Sequence, residues 1–398
     1  MGGRQGVGRR LARFTIIATV GWAAGGCRAR AAPAAPAAPA ALALEFIDDF
    51  NPPRPPGAEA STGLAPSAAW DRALGGLSGL FYSAPEALLY AISDDRGRYP
   101  PRLYTFGVEL GERALRIVPR GIVWLHESVP TGTLIEMDGE GLGGNGQTLF
   151  MSLEGNAEPP SQRETRVFRV ARDGLVTGQL SVPPAFRPAA SGQPPRGARA
   201  NLGFEGLSLS PSGRFLLASA EVALFQDGAP ATFDEGTLVR FARWDLQQSG
   251  DATEYHYRTD PVVPRLDAPS VAHTGVSEVL ALDDGRLLVM ERAYVAAGER
   301  RVNTIRLFEV ELPAVAGAPA ALDGGAALPF VPKRLVLDLA DVVARFDDGL
   351  QELDNFEGMT LGPRLPSGNP SVLLVSDDNF SASQRTVFLA FELHGATR

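Results

Sequence analysis

The sequence predicts an all-β fold, a β-propeller of five four-stranded blades closed by an N-terminal strand, and three observations predict it. A three-part pattern returns five times, starting near residues 77, 140, 205, 277 and 357. Its apolar parts are continuous runs of five to seven residues or strict alternations, and both are strand signals, whereas an amphipathic helix needs a 3.6-residue period. The spacing of about 63 to 80 residues is too long for one hairpin and fits four strands with their loops. A sixth blade would require an extra degenerate unit within residues 111–135.

Taken in order, the chain of 398 residues opens with Arg4, Arg9, Arg10 and Arg13 ahead of a short apolar stretch, Phe14 to Ala24. This reads as an export signal over residues 1–26, too short for a membrane span. Arg9-Arg10 could start a twin-arginine signal, but the residues after it fit that pattern poorly. The sole cysteine, Cys27, follows Ala24-Gly25-Gly26 and resembles the lipidated first residue of a bacterial lipoprotein. The Ala-rich sequence beyond it offers ordinary signal-peptidase sites as the alternative. Removing residues 1–26 takes away four arginines and no acid, so the net charge goes from −9 to −13. Residues 27–41, with Pro33, Pro36 and Pro39 among alanines, form an extended tether. One domain, residues 42–398, follows. The expected product is an exported, monomeric cell-envelope lipoprotein, touching a membrane by its lipid anchor only, or otherwise a secreted protein.

The first part of each repeat centres on Glu-Gly-Leu: Leu77-Ser78-Gly79-Leu80, Glu140-Gly141-Leu142, Glu205-Gly206-Leu207, Val276-Ser277-Glu278-Val279 and Glu357-Gly358-Met359. The second is an apolar strand ending in an acid: Asp94, Glu154, Glu221, Glu291 and Asp377. The third alternates, as in Arg166-Val167-Phe168-Arg169-Val170. Leu115–Trp124, Leu175–Val182, Thr253–Tyr257 and Arg334–Leu339 fill the fourth-strand slot in four repeats. The fifth repeat runs out of chain. Leu42–Phe50 reads much like residues 334–343 and is expected to supply the missing outer strand, which removes a free sheet edge.

A propeller sets the first strand of each blade around one channel, so acids recurring at one position converge. Glu140, Glu205 and Glu357 share the Glu-Gly position; Asp94, Glu154, Glu221, Glu291 and Asp377 share the strand end. Gathered carboxylates raise one another's pKa unless a metal or an arginine compensates. Oxygen ligands in a chain with four histidines and one cysteine suit calcium or magnesium far better than zinc. Equally, such acids could accept backbone amides or pair with arginines between blades, and the glycine could serve close strand approach. Asp377-Asp378-Asn379 and Asp94-Asp95-Arg96 are the densest acidic runs, and turn chemistry alone also accounts for Asp and Asn there. Arg292 and Arg96 are candidate anion partners.

Other chemistry is largely excluded. The basic residues are arginines apart from Lys333, and no basic stripe follows the N-terminus, so nucleic acid is not an expected partner. The chain has no Gly-x-Ser-x-Gly elbow at a strand–helix turn, no phosphate-binding Gly-x-x-x-x-Gly-Lys loop and no His-Glu-x-x-His. The four histidines are scattered; His273, just before the fourth repeat, is the one to test.

Residues 201–221 (NLGFEGLSLSPSGRFLLASAE), 287–292 (LLVMER), 355–359 (NFEGM) and 372–380 (VLLVSDDNF) resemble the bacterial phytase-like proteins, described as having esterase-like activity. The resemblance spans about residues 75 to 395. It implies a secreted or lipid-anchored propeller hydrolase that acts on a small phosphoester or ester, with calcium as cofactor by likeness to the calcium-dependent propeller phytases. Glu205, Glu221, Glu291, Arg292 and Glu357 are carried over as catalytic candidates, and Asp94, Glu140, Glu154, Asp377, Asp378 and Asn379 as metal ligands. The first and fourth repeats depart from the pattern, with Ser78 and Ser277 where Glu205 stands. The competing reading is a non-catalytic binding or scaffold lipoprotein, since propellers host both.

Overall fold

The computed structural model describes residues 41–52, 74–95, 97, 99–128, 137–190, 193–248, 250–313, 330–346 and 352–395. The signal segment, the tether and Cys27 lie outside the described residues, as do Arg96 and most of the Pro-rich segment 313–332.

Among the described residues, twenty-one strands form five sheets. The first strand, β1 (Ala43–Phe50), belongs to the last blade. Blade 1 is β2 (Leu77–Ser83), β3 (Leu88–Ser93), β4 (Arg102–Leu110) and β5 (Leu115–Trp124), each pairing antiparallel with the next. A two-residue strand, β6 (His126–Glu127), leaves this blade and adds in parallel to the outer edge of blade 2. Blade 2 is β7 (Gly139–Gly144), β8 (Leu149–Leu153), β9 (Arg166–Val170) and β10 (Leu175–Leu180). The described part of residues 111–135 is therefore consumed by β5 and β6, and the fold has five blades.

Blade 3 is β11 (Phe204–Leu209), β12 (Phe215–Ala220), β13 (Leu238–Asp245) and β14 (Thr253–Arg258). Blade 4 is β15 (Val271–Ala281), β16 (Arg286–Ala297), β17 (Arg300–Glu311) and β18 (Lys333–Asp338). Blade 5 is β19 (Asn355–Arg364), β20 (Pro370–Asp377), β21 (Phe388–His394) and, as its outer strand, β1. Antiparallel pairing runs from Ala43↔His394 to Phe50↔Phe388, so the expected closure by the N-terminal strand is present.

The core lies between the faces of neighbouring blades, as expected for sheets packed face to face. One apolar cluster joins blades 1 and 2 through Tyr90, Ile92, Leu142 and Met151. Others join blades 2, 3 and 4, then 4 and 5, then 5 and 1. The second strands are buried on both faces, which is why they read as unbroken apolar runs such as Phe215-Leu216-Leu217-Ala218. Inner strands touch their neighbours in a closed circuit, β2 to β7, β11, β15, β19 and back to β2.

Candidate functional site at the propeller axis

All five inner strands carry a β-bulge at the same place: one extra residue after Leu77, Gly139, Phe204, Val276 and Phe356. The residues following these are Ser78, Glu140, Glu205, Ser277 and Glu357. A bulge re-aims a side chain and bends its strand, so the five side chains form one ring. The glycine that comes next lets the strands approach each other. A Cβ on Gly141 would lie 2.5 Å from the Glu205 carbonyl oxygen, and one on Gly358 would lie 2.2 Å from that of Ser78.

The second ring is set by the backbone pairing one residue before each bulge. Asp94 pairs there with Gly76, Glu154 with Asp138, Glu221 with Gly203 and Asp377 with Asn355. In blade 4 that partner residue is Gly275, and it faces Arg292. The second ring therefore runs acid, acid, acid, arginine, acid. Glu291 corrects the sequence expectation: paired with Val276, it is one residue out of register and points to the opposite face of β16. Its carboxylate accepts from Tyr257 Oη at 2.5 Å, Lys333 Nζ at 2.6 Å and Asp260 N at 2.8 Å. That contact ties blade 4 to blade 3 and uses the only lysine.

Three members of each ring face a cavity of about 720 Å³. Asp94, Glu140, Glu205, Glu221, Glu357, Arg292, His273 and Asn379 line it, as do Tyr294 and Asn303 further out. Asp377 is fully buried and close enough to Asp94 and Glu357 that their charges raise its pKa. Asp378 departs from the expected ligand role, because its Oδ1 accepts from the Gly76 and Phe380 amides at 3.0 Å and so holds the chain turn beside the cavity. Asn379 sits in that turn at φ 47°, and its amide donates to Asp377 Oδ1 at 2.8 Å.

Burial, and then neighbouring carboxylates, push Glu140 and Glu205 well above the usual carboxylate range. Burial raises Glu221 too, but the Arg292 charge pulls against it and the result is about 7. Arg292 Nη2 stands 3.3 Å from Glu221 Oε1 and 3.4 Å from Glu357 Oε1. Its Nη1 donates to Asn355 Oδ1. Asn355 in turn donates to Glu357 at 2.8 Å. A single guanidinium thus serves Glu221 and Glu357, while Arg300, Arg301 and Arg385 line the same cavity.

Blade 2 carries the closest group of acids. Asp138, Glu140 and Glu154 bring carboxylate oxygens within 4.8 Å of one another, all buried. Arg163 Nη2 stands 3.7 Å from Asp138 Oδ2. Three hard oxygen donors in this arrangement could hold a metal ion. The sequence reading named Glu140 and Glu154 but missed Asp138, whose signal was its place one residue before the blade 2 bulge. It also missed Glu278, which stands where the other blades have glycine. That carboxyl is buried at the axis and accepts from the Leu207 and Val279 amides at 2.9 Å. Ser78 keeps a role in the ring by donating to Glu140 Oε2 at 3.0 Å.

Fold and cavity together define a five-bladed β-propeller with a carboxylate-rich axial site. Residues 72–380 match the phytase-like family, described as "Esterase-like activity of phytase", and the chain belongs to that family. No curated protein matches it. Among solved structures, an endo-arabinase from Bacteroides thetaiotaomicron is similar at 11% identity and TM-score 0.42, over 83% of this chain and 97% of that one. An α-L-arabinofuranosidase from Lactobacillus brevis is similar at 11% identity and TM-score 0.34, over 79% and 90%.

Proposed function

We propose that the protein is an exported hydrolase of small phosphoesters, extending to carboxylic esters, that works with a divalent cation, calcium in the first place, at the axial cavity. One observation carries this reading: five acids of the two rings, Asp94, Glu140, Glu205, Glu221 and Glu357, converge on the cavity, and Arg292 is the cation that contacts them, with Arg300, Arg301 and Arg385 also in the lining. Such a site is completed by protons at low pH and by a cation at neutral pH. Family membership supports the ester chemistry. The basic n-region and Cys27 support export to the cell envelope.

Asp138, Glu140 and Glu154 would hold the cation. When bound, it supplies charge neutralisation and Lewis-acid polarisation of the substrate's oxygen. The chain's own residues do the rest. Glu205 and Glu221 line the same cavity, and burial raises both carboxyls, Glu221 to about 7, the tuning general acid–base work requires. Arg292, held by Glu221, Glu357 and Asn355, presents a fixed positive charge to an anionic ester. Tyr294 and Asn303 on the cavity wall offer a ring and an amide to the rest of the substrate.

The test is hydrolysis of a chromogenic phosphomonoester, with calcium and then with chelator, against a chromogenic carboxylic ester. Calcium-dependent phosphate release that falls by ~100-fold or more in Glu205→Ala and Asp377→Ala is expected. Release indifferent to chelation and to both substitutions would overturn the metal-assisted mechanism. A folded protein silent on both esters would favour a binding propeller.

A further inference from the structure

The side of the cavity where blades 3 and 4 meet carries a different chemistry from the blade 2 carboxylates. Strands β15, β16 and β17 are 11, 12 and 12 residues long, while the other blades' inner strands are 6 to 10. The added length runs from the bulge outward and forms an arm beside the cavity, with His273, Tyr294 and Asn303 on one rung. Val295 and Ala272, on the opposite face of the arm, pack with Ala231, Val262 and Leu266. The arm is therefore a fixed wall, and His273 is held in place on it. Its imidazole lies against the Tyr294 ring, with centroids 5.8 Å apart, and its Nε2 is 3.9 Å from Glu221 Oε1.

We propose that His273 is a positioning residue for Glu221, and that together they form the proton-transfer side of this cavity. The proposal rests on the hydrolase reading for its substrate, but not for its second readout below. The gap of 3.9 Å is about 1 Å longer than a hydrogen bond, a looseness common before substrate closes a site. Burial and the Arg292 charge push His273 down to about 4, so it is neutral near pH 7 and carries one N–H. Donated by Nε2, that hydrogen steadies the Glu221 carboxylate without adding a charge to the cavity.

The groups facing Glu221 are Glu205 from β11, Arg292 from β16, Glu357 from β19 and His273 from β15. Those facing His273 are Glu221, Arg292 and Tyr294. In the step assigned here, water forms the new bond to phosphorus or to the carbonyl carbon as its proton passes to the Glu221 carboxylate. The bond to the alcohol oxygen breaks, and Glu221 returns the proton to the departing alkoxide. Ester and water thus give acid and alcohol, with Glu221 regenerated.

The deciding variants are His273→Leu, which keeps bulk but removes the donor, and His273→Gln, which restores one. His273→Met replaces the leucine variant should that chain not fold. With the full chain and calcium, His273→Leu is expected to lower kcat ~10-fold with KM nearly unchanged. Loss of a donor to the carboxylate raises its pKa, so the acidic limb of the kcat profile moves to higher pH, and His273→Gln moves it back. A limb that coincides with the parent's would reduce His273 to packing and overturn the proposal. Where no ester is cleaved, infrared titration of glutamate-labelled protein reads the same coupling. The carboxyl band abolished by Glu221→Gln must titrate at higher pH in His273→Leu, and an unmoved band overturns the proposal independently of any activity.

Discussion

Glu221 shows how opposed forces set one carboxyl: burial raises it, Arg292 lowers it, Glu357 raises it again, and it ends at about 7 from an ordinary 4.5. A carboxyl raised on folding binds its proton more tightly in the native state. Its contribution to stability is therefore full below pH 4.5 and is lost as pH rises to about 7. Glu140, Glu205 and Asp377 shift in the same direction, so the loss continues upward. In metal-free protein the thermal midpoint is expected to be highest in mild acid and to fall through neutrality. Glu221→Gln should flatten the fall between pH 4.5 and 7, and a midpoint independent of pH over that range would contradict the shared burial of these acids. Arg292→Met removes the cation common to Glu221 and Glu357, so it should destabilise more at pH 8 than at pH 5 in the same scan. Most of these acids were legible because each sits beside a repeated glycine or ends a repeated strand. Glu291 misled because its apolar run ends one residue early relative to the bulge; counting back from Val276 to its partner is what identifies Arg292 as the ring member. Asp138 escaped because it stands outside both repeated positions, one residue before the blade 2 bulge, where its pairing with Glu154 marks it.

At the scale of the strand, the recurring Glu-Gly has two separate causes. The glutamate fills the cavity, and the glycine admits the next blade's backbone. For Gly141 the neighbours at 2.5 Å are the Glu205 carbonyl oxygen and the Leu207 Cβ, with the Leu207 nitrogen at 2.7 Å, and backbone atoms cannot rotate away. Gly141→Val is expected to cost about 3 kcal/mol or more by overpacking, measured by denaturant unfolding. Gly178→Ala in β10 has open space around it and should stay within about 0.5 kcal/mol. Equal effects would mean that close approach of inner strands is not what the glycines serve. Blade 4 breaks the rule and keeps the geometry: Glu278 takes the glycine's place, and its carboxyl binds the amides of Leu207 and Val279. The inner and second strands were readable from apolar runs because both faces are covered. The outer strands were readable only approximately, as in β10, which ends at Leu180 rather than Val182, because one exposed face leaves a weaker pattern. The extra length of blade 4 could be seen as alternating residues, but nothing in the sequence says that its inner face lines the cavity.

For the molecule as a whole, closure of the ring depends on β1, which is far from blade 5 in sequence and next to it in space. Phe46 is buried against Phe391 at 5.6 Å and Phe346 at 5.4 Å between ring centroids. Past the bulge in the same strand, Asp48 Oδ2 accepts from the Leu115 amide of blade 1 at 2.7 Å. One strand therefore completes blade 5 and fastens it to blade 1. Phe46→Ala should cost about 3–5 kcal/mol, the range for emptying a buried aromatic site, and should do so without touching a cavity residue. Asp138, Glu140 and Glu154 all belong to blade 2, so a cation held there stabilises the folded chain against the unfolded one. Calcium at about a hundred times its Kd would add about 2.7 kcal/mol, which offsets part of the Phe46→Ala loss. The measurement is the thermal midpoint of parent and Phe46→Ala chains at pH 8 with calcium and with chelator. A calcium-induced rise in both, absent from a Glu140→Gln/Glu154→Gln double variant, is the expected result. A rise that survives the double variant would move the cation away from the axis, and no rise in any chain would leave protons as the only means of stabilising the cavity floor.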